Sequence, residues 1–144
     1  MVILIAHRGN TNGPDPSREN SPEYIDLAIH NRFDVEIDVW GVDGRLWLGH
    51  DGPQYQIDVQ FLKDRSSKLW CHAKNLEALK FLVKNRFHVF SHENDDYILT
   101  SKGYIWAYPG KPVDEDVICV MPERGGYATR CLGICSDFVA QIQV

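Results

Sequence analysis

The stretch Asp34-Val-Glu-Ile-Asp-Val39 decides the architecture, because Val35, Ile37 and Val39 alternate strictly with Asp34, Glu36 and Asp38. A period of two is the side-chain repeat of a β-strand, so the apolar three share one face and Glu36 and Asp38 share the other. Just downstream, the tight-turn pair Asp43-Gly44 and the apolar Leu46-Trp-Leu48 read as a hairpin whose returning arm delivers Gly49-His50-Asp51. Just upstream, the β-branched run Val2-Ile-Leu-Ile-Ala6 ends at His7-Arg8-Gly9, the pattern of a strand buried on both faces that feeds a polar loop. Gly13, Pro14 and Pro16 mark that loop, and Ser21-Pro22-Glu23 reads as an N-cap, a first-turn proline and an acid matched to the helix dipole. Ile25, Ala28 and Ile29 then follow at helical spacing.

The alternation of strand and helix continues. A short helix is expected from Asp58 to about Arg65 with Phe61 and Leu62 inward, then a strand over Lys68-Leu-Trp-Cys-His-Ala73. Asn75 caps a helix carrying Leu76, Leu79, Leu82 and Val83. Beyond Asn85, strands are expected at His88–Phe90, Tyr104–Trp106, Val117–Val120 and Gly133–Cys135, without long amphipathic helices between them. Asn94–Ser101 holds at most one short turn, His92–Asp96 reads as a capped helix start with a replacement ligand as the alternative, and Pro109–Pro112 as a loop. Repeated βα units predict an α/β fold with a parallel sheet and right-handed crossovers, either open or closed into a barrel. A full TIM-type (β/α) barrel takes about 250 residues, so a barrel made by these 144 residues is reduced or incomplete, with several crossover helices missing in its second half. No internal repeat or linker divides the chain, and residues 1–144 read as a single domain.

A hydrophobic fraction of 44% suffices for a proper core, and a net charge of −5 without any Lys/Arg run argues against nucleic acid as a partner. No apolar stretch approaches the ~20 residues of a transmembrane segment, and no signal peptide is seen, so a cytoplasmic protein is expected. Cys71, Cys119, Cys131 and Cys135 read as reduced, mostly buried thiols, since their spacing lacks a zinc-finger pattern and the core needs no staple.

The chemistry-bearing residues gather at strand ends. Glu36 and Asp38, with Cα atoms about 6.6 Å apart, point the same way and can converge on one cation, magnesium or calcium by preference; the competing reading is an exposed polar face. His7 follows one strand and His50 the returning arm, so both can reach the same mouth, where two imidazoles can divide base and acid work on a phosphodiester. Arg8 offers a guanidinium fork to phosphate oxygens. Trp40, Trp106 and Tyr108 are core residues or the walls of a cleft.

The ordered set Ala6-His7-Arg8-Gly9, Glu19-Asn20-Ser21, Glu36-Ile-Asp-Val39, Asp43-Gly44 and His50-Asp51 resembles the glycerophosphodiester phosphodiesterase family over roughly the first 51 residues. The resemblance implies a TIM-type barrel in which His7 and His50 are the catalytic acid and base, Glu36 and Asp38 bind one divalent cation, magnesium or calcium, and Arg8 contacts the phosphate. It implies that Glu19 orients its neighbours in the mouth. Where the family has an acid, one residue and a lysine, this chain has His72-Ala73-Lys74. Lys74 carries over as a phosphate contact, whereas His72 replaces an oxygen ligand by an imidazole nitrogen, which favours manganese or zinc. Ser136-Asp137 resembles the Thr-Asp that ends the family's closing strand. The expected activity is metal-dependent cleavage of a small phosphodiester, by water or by a neighbouring hydroxyl of the substrate. The alternative is a catalytically degenerate barrel that binds a phosphorylated ligand or partner.

Overall fold

A computed structural model describes residues 1–125 and 130–143. Its elements run β1 (Ile3–His7), α1 (Pro22–His30), β2 (Asp34–Val42), β3 (Arg45–Leu48), β4 (Tyr55–Ile57), α2 (Val59–Arg65), β5 (Leu69–Ala73) and α3 (Leu76–Lys84). There follow β6 (Val89–Phe90), β7 (Tyr97–Leu99), β8 (Ile105–Ala107), β9 (Val117–Val120), α4 (Pro122–Gly125), β10 (Gly133–Ser136) and a 3₁₀ turn at Val139–Gln141. The expected caps Ser21 and Asn75 are in place, and Asp58 caps α2: their side chains accept from the backbone N–H groups of Tyr24, Ala78 and Phe61 respectively. Each satisfies an N–H that the first helical turn leaves without a partner.

The strands of the described residues form one sheet. The order β6-β5-β2-β1-β10-β9-β8 is parallel throughout, and β7 adds antiparallel to β8. β3 and β4 form an antiparallel extension on the far half of β2. Five strands separate β6 from β8 in this order. The rings of Phe90 on β6 and Trp106 on β8 nevertheless lie 4.7 Å apart, so the sheet curls until its ends meet, and these rings mark its inner face. The result is a mixed α/β partial barrel.

Two cores follow from the two faces. Outside the curl, Val35, Ile37 and Val39 pack with Ile25 and Ala28 of α1, Leu62 of α2, and Ala78 and Leu82 of α3. Inside it, Ile5, Trp70, Phe90, Trp106, Ile118 and Cys135 pack together. Cys71, Cys119 and Cys135 are buried thiols, and Cys131 is partly buried. No helix of the described residues is long and apolar enough to cross a membrane.

Helices are scarce after β6: among the described residues the only α-helix there is α4, four residues long. One reading of the sequence is corrected. His92–Asp96 starts no helix, and the segment after it is strand β7, because Tyr97 and Leu99 find ladder partners in Ala107 and Ile105 that outweigh the local capping pattern. On α3 the inward face centres on Ala78 and Leu82, four apart, which leaves Leu76 and Val83 exposed. No ladder joins β6 to β7 among the described residues. Their meeting is sealed at one end, where Ser101 N–H donates to Val89 O and Val89 N–H donates to Ser101 Oγ, both at 2.9 Å.

Next to that seal the His88 ring lies 4.3 Å from Trp70, with Nε2 2.8 Å from Thr100 Oγ1. Burial, aided by Lys102, lowers its pKa to about 4. The folded protein therefore holds a neutral His88 that the unfolded chain protonates near pH 6.5. Its contribution to stability is complete above about pH 6.5 and is lost as the pH falls towards 4. Urea titrations across this window are expected to give a falling midpoint whose slope with pH is shallower in His88→Phe; equal slopes would refute the assignment.

Candidate functional site

Register builds the site. In the parallel pairing of β1, β2 and β5, His7 stands opposite Glu36, and Asp38 opposite His72. Partners in adjacent parallel strands project to the same face, so these four side chains enter the curl together at the C-terminal ends of their strands. Glu36 and Asp38 are 3% and 1% exposed, which overturns the reading of an exposed polar face. One donor atom from each of Glu36, Asp38 and His72 lies within 4.8 Å of the other two. His72 Nδ1 is 3.2 Å from Asp38 Oδ1 and 3.8 Å from Glu36 Oε2.

His50 arrives from the β3 arm. Gly49 N–H donates to Asp38 O, and Trp40 Nε1 donates to Gly49 O at 2.6 Å, the role this tryptophan takes in place of core or cleft wall. A Cβ on Gly49 would meet Gly52 O at 2.0 Å, so only glycine lets the chain fold back tightly before His50. His50 Nδ1 then sits 3.4 Å from Asp38 Oδ2. Arg8 follows β1 with φ +56, a left-handed conformation that costs a non-glycine residue strain. Its backbone is held there from both sides, by Arg8 N–H on Glu36 O and by Asn20 N–H on Arg8 O.

The guanidinium of Arg8 reaches Glu19 Oε1 at 3.2 Å and His50 Nε2 at 3.1 Å. A guanidinium only donates, so His50 Nε2 is the acceptor and its proton sits on Nδ1, towards Asp38. On the other side, His7 Nδ1 lies 2.7 Å from Asp137 Oδ1. The carboxylate accepts, leaving His7 Nε2 to face the cavity, 3.9 Å from Glu36 Oε1. Asn10, fully buried, donates to both Glu19 and Asp137 at 2.9 Å. Glu19 thus accepts from both Arg8 and Asn10.

Electrostatics divides the two acids. Burial, reinforced by the negative charge of Asp38, pushes the Glu36 carboxyl well above the usual range. Burial acts in the same direction on Asp38, but contacts from His50 and His72, the charge on His72 and the Asn20 amide hold it well below. Asp137 is likewise lowered: its hydrogen bond and attraction to His7 overcome burial. Two adjacent buried carboxyls cannot both ionise without a compensating charge, and a cation there would take the place of the proton on Glu36. Arg8 Nε and His50 Nδ1 are buried without an aligned hydrogen bond, and both face Asp38 Oδ2. Two carboxylates and an imidazole are a fitting donor set for a divalent ion.

His7, Arg8, Glu36, Asp38, His50 and His72 all line one cavity of about 170 Å³. Lys74 does not line it, although its charge lowers the Glu36 pKa from a distance. Trp106 and Tyr108 complete a wall with Phe90 and His92, whose ring stacks on His72 at 4.7 Å. Arg8 and His50 also border a larger, polar cleft of about 530 Å³ with Glu19, Asp51 and Gln54. Asn10 and Arg124, which the sequence reading did not single out, belong to this site or support it, as do Asn20, quoted there only within a motif, and His92, only within a polar cluster. Asn20 carried one signal, a polar residue able to adopt φ +65 just before a helix. No family model, curated protein or solved structure matches the chain.

Asn20 is fully buried and makes a two-way bond with Asp38, its Nδ2 donating to Oδ2 and its Oδ1 accepting from the backbone N–H, both at 2.9 Å. Asn20→Ala removes both and places a methyl group in a left-handed position. A loss of about 2 kcal/mol in denaturant unfolding is expected, together with weaker divalent-ion binding as Asp38 loses its orientation. Wild-type values for both would exclude this role.

Proposed function

We propose that the protein cleaves small phosphodiesters with the aid of one divalent cation. The observation that carries this reading is the placement of His7 and His50 at the cavity shared by Glu36, Asp38 and His72, each imidazole with one nitrogen turned to a carboxylate. The resemblance to glycerophosphodiester phosphodiesterases supports the same roles, and a reduced TIM-type barrel is the finer reading of the partial barrel. Glu36, Asp38 and His72 hold the cation, which when bound neutralises charge on the phosphoryl oxygens. Magnesium or calcium follows from the resemblance, whereas the His72 imidazole favours manganese or zinc.

The protein's own groups perform the proton transfers. One imidazole, unprotonated on the nitrogen nearest the substrate, accepts the proton of the attacking water or substrate hydroxyl; the other, protonated, donates one to the departing alkoxide. Asp137 and Asp38 stabilise the imidazolium forms by their contacts with His7 and His50. Arg8 donates to the phosphoryl oxygens as charge builds on them, and Lys74 adds positive potential. Arg8 must release His50 Nε2 for this to happen, because the bond between them occupies the lone pair that would take a proton. A second reading rests on that same bond: where Arg8 stays on His50, the barrel binds a phosphorylated ligand without turnover.

After chelation and reloading, turnover of bis(p-nitrophenyl) phosphate and of glycerophosphodiesters is expected to be highest with manganese or zinc and lower with magnesium or calcium. His7→Ala and Glu36→Ala are each expected to reduce kcat/KM by about 10²- to 10⁴-fold. Activity that neither substitution lowers would overturn the assignment, and inactivity with every metal would favour the binding reading.

A further inference from the structure

The segment after β9 is built with more care than a connection requires. Met121, 1% exposed, turns the chain with φ +51 while its N–H donates to Cys135 O at 2.7 Å. Ser136 Oγ, at the end of β10, lies 2.9 and 2.8 Å from the two carboxylate oxygens of Glu123. Arg124 N–H donates back to Met121 O. At the end of α4, a Cβ on Gly125 would meet Gly110 N at 2.2 Å, so the chain there packs backbone against backbone. Strain, a bidentate clamp and a close glycine contact thus fix α4 against the sheet. What this presents to the cavity is Arg124.

Among the residues lining the cavity, Arg8 and Arg124 are the two permanent cations. Arg8 is engaged with Glu19, His50 and Asp38, and only 20% of its side chain is exposed. Arg124 is 60% exposed and has one ionic contact, from Nη2 to Asp137 Oδ2 at 3.9 Å. That contact sets it on the His7 side of the mouth, whereas Arg8 borders His50. A guanidinium with spare donors, held on a clamped segment at the rim, is suited to an incoming oxyanion.

We infer that Arg124 is a substrate-binding residue: it grips a non-bridging oxygen of the phosphodiester from the His7 side, opposite Arg8, and binds the anion before Arg8 leaves His50. This rests on the phosphodiester reading, yet it is tested separately from turnover. Diethyl phosphate, a diester monoanion, is titrated calorimetrically into the metal-loaded wild-type protein and into Arg124→Gln, Arg124→Lys and Glu123→Gln. Arg124→Gln is expected to weaken binding about tenfold, the loss of one charge-assisted hydrogen bond. Arg124→Lys should recover part of the affinity, and Glu123→Gln, which loosens the clamp but keeps the guanidinium, should lose part of it. Unchanged circular dichroism and Tm in Arg124→Gln would tie the loss to the site. Wild-type affinity in Arg124→Gln, or no binding of diethyl phosphate by the wild type, overturns the inference. Failure of the catalytic reading has a different signature, namely diester binding that depends on Arg124 without turnover of any diester.

Discussion

Two carboxyl groups buried side by side on one strand set the terms for the rest of the molecule. Placing Glu36 and Asp38 inside the curl removes both from water, and an isolated buried carboxylate is far too costly to persist. The surrounding chain answers with donors: Arg8 N–H on Glu36, the Asn20 amide and the imidazoles of His50 and His72 on Asp38. Arg8, His50 and His72 come from β1, β3 and β5 or the residues directly after them, the three strands that pair with β2. The arrangement still leaves one acid short of positive charge, which is why Glu36 is driven to keep its proton. A cluster that could hold a metal ion is thus written into the core of the fold and not attached to its surface.

The same demand explains the strained positions. Arg8, Asn20 and Met121 all have left-handed backbone conformations without being glycine. The first two are bonded to each other and to β2, and the third turns the chain beneath the mouth. Strain of this kind persists only where neighbours over-determine it. Here the neighbours are ladder hydrogen bonds of the parallel sheet, so the rigid part of the protein holds the distorted part in place.

Much of this was readable before any coordinate. The alternation at 34–39 implied which side chains share a face, the caps at Ser21 and Asn75 marked helix starts, and strand ends located His7, Glu36, Asp38 and His72. These are local signals, carried by residues a few positions apart. The bonds of Asn20 to Asp38 and of Asn10 to Asp137 span 18 and 127 positions, so the local sequence around either asparagine does not name its partner. Strand β7 was hidden for the same reason: its pairing with β8 is a tertiary choice that a stretch of polar residues before Tyr97 disguised as a helix cap. Which face of α3 turns inward was likewise not legible: Leu76 fits the apolar periodicity while pointing away from the face that Ala78 and Leu82 define.

The position of β1 between β2 and β10 has a consequence for the order of assembly. β1 is made first among the described strands and can pair with β2 soon after synthesis, but its other edge waits for β10, more than a hundred residues later. Until then an apolar, β-branched edge is uncovered, and His7 lacks Asp137, its partner 130 positions away. The contact between His7 and Asp137 therefore closes in the same event that seals this edge of β1.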